Sequence, residues 1–133
     1  MADESTRGTR SPKRPDRYAY RDYRNWPDEE RWELIDGKAW DMSSSPPQLH
    51  QTVLGQLCSQ LDAFLTGKPC RVYVAPVDVF LIDADEEIND AKYVVQPDAF
   101  VVCDKRRLID EGVKGAPDFI IEIMSRGTEL PGR

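Results

Sequence analysis

Residues 118–125, DFIIEIMS, are apolar at every position between the opening aspartate and the closing serine except one, Glu122. Successive side chains of a strand point to opposite faces. Phe119, Ile121 and Ile123 would then line one face, and Ile120, Glu122 and Met124 the other. A strand apolar on both faces belongs in the middle of a sheet covered on both sides, so this run points to a mixed sheet flanked by helices. In that setting Glu122 is expected to be cut off from water. A carboxylate there is costly unless it is paired, protonated or bound to a metal.

A second apolar run, VVQPDAFVVCD (94–104), carries a carboxylate at its mouth, Asp98, directly after Pro97. Asp118 lies on the face of Glu122 but four residues away, about 13 Å along a strand. A neighbouring strand is only about 4.8 Å away. If the segment of Asp98 pairs beside that of Glu122, two carboxylates converge. Their repulsion asks for a cation, and hard oxygen ligands suit magnesium or manganese. Such an ion can polarise a phosphodiester and lower the pKa of an attacking water. The residues alone leave an ordinary reading equally open, with Asp98 in a turn and Glu122 paired with an arginine.

The remaining segments agree with a mixed α/β chain. RWELIDGKAWDM is a hairpin signal, because Asp36-Gly37 suits a turn with positive φ at both central positions, and Trp32, Leu34, Trp40 and Met42 alternate around it. Glu33 lies between two apolar neighbours just before that turn. Leu49, Val53, Leu57, Leu61 and Phe64 recur at helical spacing after a Ser/Pro start, with Gly67 and Pro69 as stops and His50 in the first turn. Tyr20, Tyr23 and Trp26 predict a short packing helix closed by Pro27. RVYVAPVDVFLI reads as β structure broken near Pro76, DADEEINDAK as a solvated acidic turn, and KRRLIDEGVKGAP as a polar connection. Residues 1–15 have almost nothing to bury and read as a disordered polar arm ahead of a core over 16–133.

The composition, 40% hydrophobic and 32% charged over 133 residues, suits one soluble domain. No signal-like or membrane-length apolar stretch is present, so a cytoplasmic protein without a membrane partner is expected. Cys58, Cys70 and Cys103 are widely spaced and read as reduced thiols, with Cys103 as core filler, and a single histidine argues against zinc. The net charge of −6 divides into +3 over residues 1–24 and −9 over the rest. That balance does not favour nonspecific DNA affinity, but an acidic centre that holds a cation remains compatible with a nuclease.

Taken in order, WELIDGK, MSSSPPQLHQTVLGQL, VYVAPVDVFL, VVQPDAFVVCD and VKGAPDFIIEIMS resemble the Uma-type family within the PD-(D/E)XK nuclease superfamily, over about residues 18–125. The resemblance implies a restriction-endonuclease-like core and Mg2+- or Mn2+-dependent hydrolysis of DNA. By position, Asp98 and Glu122 match the family's metal carboxylates, Glu33 matches an acidic position facing the same site, and His50 matches a histidine heading the first long helix. Gln96 is expected to orient Asp98 or a water. The superfamily lysine two residues after the glutamate is here Met124, and the family's lysine on a following helix has no counterpart in SRGTELPGR. The family's C-terminal helix and closing strand are therefore expected to be missing, with Lys38 or Arg126 as conceivable substitutes and a homodimer as one way to cover apolar surface. An inactive nuclease-fold relic and a non-enzymatic interaction module are the competing expectations.

Overall fold

The structure, a computed structural model, describes residues 17–42 and 46–124. The expected arm over 1–15, Arg126 and the C-terminal segment after Met124 lie outside the described residues.

A single helical turn, α1 (Tyr20–Tyr23), precedes a hairpin of β1 (Trp32–Ile35) and β2 (Lys38–Asp41). Asp36 and Gly37 both take positive φ, as the tight turn demands. The long helix α2 (Gln48–Leu65) follows, then β3 (Arg71–Val74), β4 (Val79–Phe80), β5 (Val94–Val95) and β6 (Ala99–Val102). The chain closes with β7 (Leu108–Ile109), β8 (Gly112–Lys114) and β9 (Phe119–Ile121). Six strands form one sheet in the order β2-β1-β5-β4-β8-β7, in which only the β4–β8 pair is parallel. The other sheet is β3-β6-β9, antiparallel throughout. Among the described residues no helix is long and apolar enough to cross a membrane.

The backbone passes between the two sheets five times, and three of those passages carry a proline with an aspartate one or two residues after it. Pro76 and Asp78 lie between β3 and β4, Pro97 and Asp98 between β5 and β6, Pro117 and Asp118 between β8 and β9. Proline has no N–H to give to a ladder, so pairing ends there and the strand can change partners. One apolar cluster (Tyr20, Leu34, Phe80, Ala91, Val94) lies under α1, and the other (Val79, Phe100, Val102, Val113) involves both sheets.

Four expectations need correction. The strand β9 is an edge, not the middle, and Phe119, Ile120, Glu122 and Met124 are exposed, because no described element pairs its outer side. In α2 the predicted apolar stripe is only in part the packing face: Leu49 (73%), Leu57 and Phe64 (67%) are exposed and Val53 and Leu61 half-buried, while His50 is the one buried residue and Leu54, Cys58 and Leu65 are half-buried as well. The polar connection at 105–117 contains the β7–β8 hairpin. Its Gly112 has φ +151°, and a Cβ there would stand 2.1 Å from the Asp78 carbonyl oxygen, so no other residue fits without a backbone shift. Finally, Cys70 and Cys103 are joined in a disulfide rather than free. The β3–β6 register that sets Arg71 against Val102 puts these two cysteines opposite one another.

Candidate active site

The antiparallel register of β6 with β9 pairs Ala99 with Ile121. One step further, Asp98 faces Glu122 across the mouth of the ladder. The contact is direct: the Glu122 carboxyl accepts the Asp98 N–H and, when protonated, donates to the Asp98 carboxylate. Asp98 Oδ2 also accepts the Ile123 N–H at 2.7 Å and meets His50 Nε2 at 3.2 Å. The first turn of α2 delivers His50, which is only 7% exposed and whose Nδ1 lies 2.9 Å from Gln51 Oε1. The helix is thus tied to the site through its one buried side chain.

Glu33 reaches the same place from β1. Its Oε2 accepts the Gln96 N–H at 2.6 Å. The Gln96 side chain does not bond Asp98, as expected from sequence, but turns to a different group: Nε2 donates to Asp78 Oδ1 at 3.0 Å, and Oε1 accepts from Arg31 Nε at 2.9 Å. Tyr23 OH donates to the same Asp78 oxygen at 2.6 Å. Gln96 therefore acts as a brace between Glu33 on one side and the Asp78–Tyr23–Arg31 group on the other.

The electrostatics follow this crowding. Glu122 is exposed as a residue, yet its carboxyl is turned toward the cluster. Partial burial of that carboxyl, then the like charges of Asp98 and Glu33, push it up to about 7. Glu33 is also raised, first by burial and then by Asp98 and Asp78, while the Gln96 N–H and Arg31 oppose the shift. Burial and Asp78 hold the Tyr23 hydroxyl well above its ordinary value, so it remains a donor. Sequence reasoning assigns no site role to Asp78 or Arg31 and reads Tyr23 only as a packing aromatic. Asp78 carries a readable signal in the sequence, since it stands two residues after Pro76 much as Asp98 stands directly after Pro97.

Among the described residues no group of three or more His, Cys, Asp or Glu side chains stands within reach of one common metal ion. The Asp98–Glu122 pair nonetheless has the donor chemistry of a hard-cation site. Its oxygens face one another, a neighbouring cation would relieve the repulsion that raises Glu122, and magnesium commonly takes one or two carboxylates and fills the rest of its shell with water. Lys38 sits on β2 away from this pair, and Met124 occupies the position two residues after Glu122.

A family model described as "Uma2: Putative restriction endonuclease" matches residues 20–132. No curated protein matches the chain. Among solved structures, the fold is similar to a "putative nuclease belonging to DUF820" from Anabaena variabilis ATCC 29413, with a TM-score of 0.60 and 19% sequence identity. The similarity covers 80% of this chain and 58% of that one, so the chain spans little more than half of that neighbour's length.

Proposed function

The chain belongs to the Uma2 family, and from that premise we propose that it is a divalent-metal-dependent DNA endonuclease that hydrolyses phosphodiester bonds. The observation that carries this reading is the direct contact of Asp98 with Glu122 at the end of the β6–β9 ladder, with Glu33 facing both. Asp98 and Glu122 would hold a magnesium or manganese ion, which when bound supplies Lewis-acid polarisation of the phosphoryl group and a lower pKa for water. His50 and the Ile123 N–H fix the Asp98 carboxylate by bonding the same oxygen, Oδ2. Glu33, held by Gln96 at Oε2 and raised from its ordinary value by burial, is suited to take a proton at Oε1 from an attacking water.

Cleavage of supercoiled plasmid with added manganese, by this protein and its Asp98→Ala variant, tests the proposal. Nicking that needs the metal and is lost in the variant supports it, and no nicking by either protein contradicts it. One observation favours a second reading, a fold that keeps its carboxylates but does not cleave: a methionine, Met124, stands where the superfamily places its lysine. Manganese binding without nicking would identify that case.

A further inference from the structure

The outer face of the β1–β2 hairpin has no role in the account so far. In this register Glu33 stands directly opposite Trp40, so their side chains share a face. Trp40 is 54% exposed and its ring meets no other aromatic ring among the described residues. The contrast with the other two tryptophans is sharp. Trp26 and Trp32 pack against each other edge to face at 5.6 Å, and Trp26 further meets Tyr18 and Tyr23. Those rings are used in the core and Trp40 is not.

Cations flank the pair. Arg31, two residues before Glu33, is bonded through Nε to Gln96, which leaves both Nη groups for another partner. Lys38, two residues before Trp40 and opposite Ile35, is exposed and makes no ion pair among the described residues. An exposed indole beside two cations, next to a carboxylate of the candidate active site, has the parts of a single-strand platform, in which bases stack on aromatic faces and phosphates meet Lys or Arg. A fully paired duplex keeps its base faces stacked inside the helix and offers none to an indole.

We propose that this hairpin face binds an unpaired stretch of DNA, with Trp40 stacked on a base beside Glu33 and with Arg31 and Lys38 receiving its phosphates. The proposal rests on the nuclease reading for its choice of DNA, and it adds a substrate class: single strands, flaps or frayed ends ahead of intact duplex.

The test is anisotropy of labelled dT12 and of the dT12·dA12 duplex, in EDTA so that no cleavage intervenes. The intact chain should bind dT12 more tightly than the duplex. Trp40→Ala should weaken dT12 binding by about 5- to 150-fold, the range that stacking of one base contributes, while Trp40→Phe keeps most of the affinity. Lys38→Ala should reduce the slope of log affinity against log salt by about 0.7, one phosphate contact on a single strand. Undiminished dT12 binding by Trp40→Ala, tighter binding of duplex than of dT12, or no dT12 binding at all would each overturn the proposal. Plasmid nicking is read separately. Binding through Trp40 without nicking keeps this inference and sinks the nuclease, whereas nicking with a Trp40→Ala variant that binds dT12 normally does the reverse.

Discussion

The sequences PDAFVV at 97–102 and PDFIIE at 117–122 both open on Pro-Asp and continue with apolar residues, and both enter a strand of the same three-stranded sheet after a passage from the larger one. Their aspartates nevertheless have different surroundings. Because β6 and β9 run antiparallel, Asp98 and Asp118 stand at opposite ends of one ladder. Asp98 meets Glu122, His50 and the field of Glu33. Asp118 accepts the Cys103 N–H at 2.8 Å and lies 3.9 Å from an Arg107 nitrogen. Both accept from donors, but the first also has the carboxyls of Glu122 and Glu33 beside it, whereas the second lies near an arginine. The same dipeptide thus becomes a candidate ligand or a local tie, depending on which strand lies across from it.

This contrast can be broken by substitution. The largest effect is expected for Asp98→Asn, which removes one of the two charges meant to hold the cation. Manganese-dependent nicking should fall by at least about a hundredfold, the scale seen when a catalytic electrostatic group is lost; activity within a few-fold of the parent would remove Asp98 from the site. Gly112→Ala probes the Pro76–Asp78 passage, where the added methyl meets the Asp78 carbonyl. It should cost about 1–3 kcal/mol in urea denaturation, the range for forced overpacking, and a neutral result would mean that the β8 backbone can move away from Asp78. Asp118→Ala should cost about 1 kcal/mol, one hydrogen bond to a partly exposed group, while nicking stays within about twofold of the parent.

The smallest effect concerns pH. Glu122 is raised from an ordinary 4.5 to about 7 in the folded chain, so between those values the native state keeps a proton that the unfolded chain has released. The stability contribution of this group is therefore greatest below pH 4.5 and falls as pH rises toward 7, and Glu33, raised as well, works in the same direction. Melting curves from pH 5 to 8 should decline less in Glu122→Gln than in the parent. Added manganese should stabilise the parent more at pH 8 than at pH 5.5, since a cation competes with that proton. Equal slopes in parent and variant would place Glu122 outside the charged cluster.

Local chemistry made part of this molecule readable in its sequence. Asp36-Gly37 specifies its hairpin through two positive φ angles that few other residue pairs tolerate, and Gly67 and Pro69 mark the end of α2. What depended on distant partners was harder to read. The orientation of α2 was misjudged because Leu49, Leu57 and Phe64 form a good apolar stripe, yet the helix turns His50 inward to reach Asp98. The β7–β8 hairpin is hard to read because its strands are only two and three residues long and lie among charged residues. The disulfide depends on a strand pairing that brings together cysteines 33 residues apart. At the candidate site, Asp98 and Glu122 stand out as charges in apolar runs, but Asp78 and Arg31 are hydrogen-bonded to it through Gln96 and act on Glu33 by charge, links that no spacing announces.

The most direct measurement is a manganese titration followed by the electron paramagnetic resonance signal of the free ion, on the parent, Asp98→Asn and Asp118→Asn proteins. The account predicts that the parent and the Asp118 variant take up one ion per chain with similar affinity, and that the Asp98 variant takes up none over the same range. Equal binding by all three, or no binding by the parent, would contradict the assignment of Asp98 and Glu122 as a metal pair.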